Sequence, residues 1–168
     1  METLINEGLV EKTVSLLPED LGDVKANIEK KLQETVHSWD ESVDGIVLGV
    51  KEVQILESGL GFIDFGDLAH YTVRYHVRYF KPEKGKHCVG KVCHVSETGI
   101  SLLVLDLINC RILEPESEDE IIDTRPKKLL EKLGKSTLDN GEKVYFKIED
   151  IQASNDSIML FGSIPDKE

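Results

Sequence analysis

The chain has 168 residues, 40% of them hydrophobic, which is enough for the core of one ordinary domain or two small ones and excludes a disordered or fibrous chain. Its 32 acidic against 20 basic residues give a net charge of −12. That balance excludes broad coating of nucleic acid, because phosphate contact needs local positive potential. Three cysteines, an odd number without an apolar leader, suit free thiols in a reducing compartment, and no run reaches the ~20 apolar residues of a membrane span. The expectation is a soluble intracellular protein.

LVEKTVSLL, Leu9 to Leu17, alternates loosely and stops at Pro18, as a first strand before a helix would. From Pro18, Leu21, Val24, Ile28, Leu32 and Val36 recur at three- and four-residue steps, which predicts a helix with one face on a sheet. VDGIVLGVKEVQIL, Val43 to Leu56, predicts a strand, with Gly45 and Gly49 marking a bend or close backbone approach. ESGLGFIDFGD, Glu57 to Asp67, is a glycine-punctuated loop or hairpin presenting Leu60, Phe62 and Phe65, which either fold onto their own core or dock into a partner.

YTVRYHVRYF, Tyr71 to Phe80, has a period of two. Tyr71, Val73, Tyr75, Val77 and Tyr79 share one face, and Thr72, Arg74, His76, Arg78 and Phe80 share the other. Together with KPEKGKH it is a basic island, with five Lys/Arg against one Glu, and so either a nucleic-acid platform or a structural wedge.

Pro82 and Gly85 mark a joint, so residues 1–81 and 82–168 are expected to form separate domains. Beyond it KHCVGKVCHVSE predicts a strand and TGISLLVLDLINCRILEP two more, turning near Asp106. The acidic run EPESEDE, Glu114 to Glu120, is read as a solvated loop in which Ser117 is a candidate phosphorylation site for an acid-directed kinase. RPKKLLEKLG carries Pro126 at a helix start, Leu129, Leu130 and Leu133 on one side, and Gly134 as its stop. EKVYFKIEDIQAS and DSIMLFGSI then predict two strands around a turn. Three strands, a short helix and two strands is the order of an OB-fold barrel, and the fold class is α+β.

HCVGKVCH, His87 to His94, resembles a zinc spacing, but strand parity puts His87 with Cys93 and Cys88 with His94, so the ligands do not converge. GLGFIDFG lacks the third glycine and the following helix of a dinucleotide site. No acid, base, nucleophile or metal set converges, so no catalytic residue, metal or cofactor is expected. On the barrel, where aromatics stack bases and Lys/Arg meet phosphate, the candidates for RNA contact are Lys84, Lys86, Lys91, Arg111, Tyr145 and Lys147.

The helix followed by GIVLGV, the FKPEKG joint and GISLLVLDLINCRI make the chain resemble the larger stalk subunit of nuclear RNA polymerases, most closely that of RNA polymerase I. The resemblance spans roughly Leu9 to Leu113. It implies a tip domain that docks on the polymerase core, for which Leu60, Phe62 and Phe65 are the candidates, and an OB domain near the nascent single-stranded RNA. It also implies a smaller stalk partner forming a heterodimer, an initiation factor for ribosomal RNA genes, and a place in the nucleus and nucleolus, without catalysis by this subunit. In such a fold the tyrosine and valine face of Tyr71 to Phe80 packs on the helix, with Arg74, His76 and Arg78 outward or toward the partner, which favours the wedge over the platform. A stalk subunit of polymerase II or III and a free OB-type RNA-binding module are the alternatives.

Overall fold

A computed structural model describes residues 4–56, 62–63, 66–114, 126–154 and 157–166. The chain divides into two compact units, Glu2–Lys81 and Pro82–Glu168.

In the first unit β1 (Ile5–Leu16) leads through a 3-10 turn (Pro18–Asp23) into helix α1 (Val24–Glu34). Then come β2 (Trp39–Asp40), β3 (Gly45–Ile55), β4 (Phe62–Ile63) and β5 (Ala69–Phe80). The sheet order is β1-β5-β3-β2, antiparallel throughout, with β4 pairing the start of β5. The predicted helix therefore starts later than Pro18, because the Asp23 carboxylate accepts from the Ala26 amide at 3.2 Å and sets the first α-helical turn there. Ile28 and Leu32, four residues apart on one face, are the buried side chains of α1. They join Val14, Leu16, Val47, Ala69, Tyr71, Val73, Tyr75 and Val77 in one core cluster, each large aliphatic chain contributing roughly 1.5–3 kcal/mol relative to exposure.

Two features of this sheet depart from simple alternation. Phe80 has the parity of the polar face, yet it is fully buried at the end of β5, paired in register with Ile5 and Ile46 on its two sides. β3 carries register shifts between Val47 and Gly49 and between Lys51 and Gln54, with Glu52 at φ 55°. Of its two glycines, Gly45 makes the close approach: a Cβ there would lie 2.6 Å from the Phe80 carbonyl oxygen. Gly49 has open space around it and sits instead at the bulge.

The second unit holds β6 (His87–Ser96), β7 (Gly99–Val104), β8 (Ile108–Leu113), helix α2 (Lys127–Leu133), β9 (Lys143–Ser154) and β10 (Ser157–Ser163). The strands close in the cyclic order β10-β8-β7-β6-β9. Only β8 and β10 run parallel; the other neighbours are antiparallel. This is the five-stranded Greek-key barrel of the OB-fold. Cys88, Val92, Leu102, Cys110, Phe146 and Leu160 are among the side chains that fill it. β10 comes so close to β9 at Gly162 that a Cβ there would meet Phe146 Cδ2 at 2.4 Å and the Lys147 carbonyl oxygen at 3.0 Å.

Helix α2 begins on Pro126 and ends on Gly134 in the left-handed region, with Leu129 and Leu130 buried. Its open N-terminal amides are capped from β8's far end: the two Glu114 carboxylate oxygens accept from Lys128 N at 2.7 Å and Leu129 N at 3.2 Å. No helix among the described residues is long and apolar enough to cross a membrane.

Candidate nucleic-acid interface

On β5, Arg74 and His76 of the polar face pair with acids on neighbouring strands, and Arg78 is exposed. Arg74 donates from Nε to Glu11 of β1 at 2.8 Å, and a second guanidinium nitrogen reaches the same oxygen. His76 Nε2 lies 3.2 Å from Glu52 of β3. The other face of the strand fills the core with Tyr71, Val73, Tyr75 and Val77. The same core cluster holds Ile28 and Leu32 of α1, the packing of strand face on helix that the wedge reading expects.

The barrel offers a different surface. Alternation along β9 turns Lys143, Tyr145 and Lys147 outward while Val144, Phe146 and Ile148 go inside. Antiparallel pairing with β6 sets Lys91 opposite Lys143, Val89 opposite Tyr145, and His87 opposite Lys147. The result is a two-strand exterior face with lysines toward both ends and Tyr145, 68% exposed, at its centre. The segment before β6 adds to one end. Gly85 N donates to Ile148 O at 2.7 Å and Ile148 N to Lys86 O at 2.9 Å, which ties Lys84 and Lys86 to the edge of β9.

Several of these cations already have partners. Lys84 lies 2.5 Å from Asp150 and holds that carboxyl below its usual range. Lys147 lies 3.6 Å from Glu149, whose carboxyl is held down first by the Ser163 hydroxyl, donating at 2.6 Å, and then by Lys147. Lys91 bonds both oxygens of Asp106, at 2.8 and 2.9 Å. All are exposed pairs of the kind worth ~0–1 kcal/mol, weak enough to exchange for phosphate.

The structure thus brings Lys91, Tyr145 and Lys147 to one wall, with Lys84 at its end beside Asp150, while Lys86 is exposed but paired with the inward-facing Ile148. Arg111 is exposed on β8, which neighbours β7 and β10, so it belongs to the far side of the barrel. Lys143 and His87 were not among the sequence candidates. Lys143 shares the parity of Tyr145 and could have been included from β9 alone; His87 needs the β6–β9 register. Leu60, Phe65 and Ser117 lie outside the described residues, as does the Phe62 side chain. Beside Phe62, Ile63 on β4 is 67% exposed, and its in-register partner Ala69 also pairs Leu16, next to the 46% exposed Leu17.

In the cysteine and histidine stretch, Cys88 points inward, and the bulge between Val92 and His94 leaves both Cys93 and His94 exposed, against the parity expected for His94. Burial pushes the Cys88 thiol up and takes Cys110, with Cys88 nearby, to about 12. Among the described residues no group of three or more His, Cys, Asp or Glu is placed to hold a metal ion.

No protein-family model matches the chain. It is similar to the Dictyostelium discoideum protein named probable DNA-directed RNA polymerase I subunit RPA43, with 27% identity over 171 residues covering 99% of this chain and 47% of that one. This chain therefore spans about half the length of that relative. The Schizosaccharomyces pombe protein named DNA-directed RNA polymerase I subunit rpa43 is 25% identical over 161 residues, covering 92% of each chain.

Proposed function

We propose that this chain is a non-catalytic subunit of DNA-directed RNA polymerase I, the larger member of its stalk, acting in the nucleolus in ribosomal RNA gene transcription. The observation that carries this is the similarity to a polymerase I subunit over 92% of both chains, together with an OB barrel that follows an antiparallel sheet and helix. In this reading the nucleotidyl-transfer site belongs to the large core subunits, and this chain works by holding surfaces in place.

The first unit is the tip that docks on the core through Leu60, Phe62 and Phe65. The exposed Ile63 and Leu17 would add apolar surface to such docking. A smaller stalk partner and an initiation factor complete the assembly. The β6–β9 wall of the barrel meets emerging single-stranded RNA, with Tyr145 as the stacking group and Lys84, Lys86, Lys91 and Lys147 as phosphate contacts.

Native purification of the tagged chain from its own cells at moderate salt, with mass spectrometry of what stays bound, tests the reading. The large subunits of polymerase I are the expected companions. Recovery of the chain alone, or with assorted RNA, would overturn the stalk assignment.

A further inference from the structure

Where β6, β7 and β9 meet on the outside of the barrel there is a pocket of about 220 Å³. Val89, Leu103 and Leu105 give it apolar walls, Lys91 and Lys143 flank it, and Asp106 stands at its rim. Its size is below the ~300–1,000 Å³ of pockets for drug-sized ligands and suits one flat ring system. Tyr145 is next on the same wall, in register with Val89.

The turn that forms the rim is unusual. Leu105 and Asp106 are the two central residues of the turn that Leu107 N closes by donating to Val104 O at 3.1 Å, and both lie in the left-handed region, at φ 55° and 56°. A tight hairpin of this kind ordinarily takes Asn-Gly or Asp-Gly, and a leucine with positive φ is rare. Here the leucine side chain supplies a wall of the pocket and the aspartate its one carboxylate. A relaxed Asn-Gly turn would supply neither.

We propose that this pocket receives one guanine of a single-stranded RNA, with Asp106 accepting from its Watson–Crick edge and Tyr145 stacking the adjoining base. The proposal rests on the RNA-contact reading above and adds a base preference to it. Three requirements select the ligand class. Lysines on both flanks call for negative charge, the apolar walls call for a flat uncharged face, and the carboxylate calls for N–H donors at the same ligand. An acidic peptide meets the first requirement and is repelled by Asp106. A nucleotide meets all three, since its phosphate takes Lys91 away from Asp106 and frees both carboxylate oxygens for the base. Guanine presents two adjacent donors, N1–H and N2–H, to match those two oxygens. Uracil has one donor on that edge between two acceptors, and adenine and cytosine set an acceptor beside their amino group.

The test is fluorescence anisotropy with the full chain and eight-nucleotide oligouridylates that differ at one central position. The guanosine oligonucleotide is expected to bind about tenfold tighter than the uridine or adenosine one, the scale of a good bidentate base contact. Inosine, which lacks the N2 donor, should lose most of that preference. Asp106→Asn keeps a side chain that tolerates left-handed φ, and should bring all oligonucleotides within about twofold of one another. Tyr145→Ala should weaken every oligonucleotide about fivefold or more and leave the ranking intact. Binding without a guanosine preference, or a preference that survives Asp106→Asn, overturns the pocket and leaves RNA contact standing. No binding to any oligonucleotide overturns both, while the companions recovered by purification still decide the stalk assignment separately.

Discussion

Replacing Gly162 by alanine puts one methyl group against two atoms that have nowhere to go. The new Cβ would sit 2.4 Å from Cδ2 of Phe146 and 3.0 Å from the Lys147 carbonyl oxygen. Phe146 is fully buried, so its ring cannot swing out, and the carbonyl belongs to β9, to which β10 is paired. Overpacking of this kind costs about 1–3 kcal/mol, and two immobile neighbours place it near the top of that range. Alanine recovers roughly 0.5–1 kcal/mol through the lower backbone entropy of its unfolded chain, which leaves a net loss of about 2 kcal/mol. Urea unfolding followed by far-UV circular dichroism should show the barrel's midpoint lowered by about 1 M, given a slope of ~1–3 kcal/mol per molar. Trp39, the chain's one tryptophan, reports on the first unit separately. Phe146→Leu removes the ring edge that the methyl meets. Alone it leaves a small cavity and costs about 1 kcal/mol; combined with Gly162→Ala it should give a loss well under the sum, a coupling of ~1–2 kcal/mol. An unchanged midpoint for Gly162→Ala, or strictly additive losses in the double variant, would refute the steric argument.

Three further outcomes follow from the barrel. Glu114→Ala removes the cap on two α2 amides and should cost about 1 kcal/mol, measured by the same unfolding experiment; an effect indistinguishable from zero would mean that water replaces the carboxylate fully. With a thiol reagent at pH 8, Cys93 should react in the folded chain, while Cys88 and Cys110 become reactive only on unfolding. Because burial raises Cys110 from 9.0 to about 12, the folded state keeps a proton that the unfolded state gives up, so this thiol's contribution is whole below pH 9 and declines as pH rises toward 12. A Cys110→Ala variant with the same alkaline decline between those values would contradict that assignment.

Period-two alternation in β5 is strong enough to read without a structure, because four residues on one side, Tyr71, Val73, Tyr75 and Val77, are large and apolar. Phe80 shows where that reading stops. Its burial depends on Ile5 and Ile46 arriving from strands far away in sequence, and no local pattern encodes their register. Bulges are hidden for a related reason: one extra residue, as between Val92 and His94, reverses the parity of all that follows without changing composition. β2 pairs over only two residues and leaves no periodic trace. The candidate interface follows the same division. Lys143, Tyr145 and Lys147 can be grouped from one strand, whereas the separation of Arg111 from them is a property of barrel closure. The turn near Asp106 is legible in the sequence, but not its left-handed backbone at Leu105, since neither glycine nor asparagine is present there.

The position of β10 also bears on how the chain is made. It is the last strand in sequence, and it lies between β8 and β9 as the member that closes the ring. While the ribosome has delivered only the residues up to Ser154, β8 and β9 each carry an unpaired edge of backbone donors and acceptors. At ~5–20 residues per second, that open interval lasts at least until Ser157–Ser163 have cleared the exit tunnel. A premature stop between Ser154 and Ser157 would make the interval permanent, leaving a sheet with two adhesive margins in place of a closed barrel.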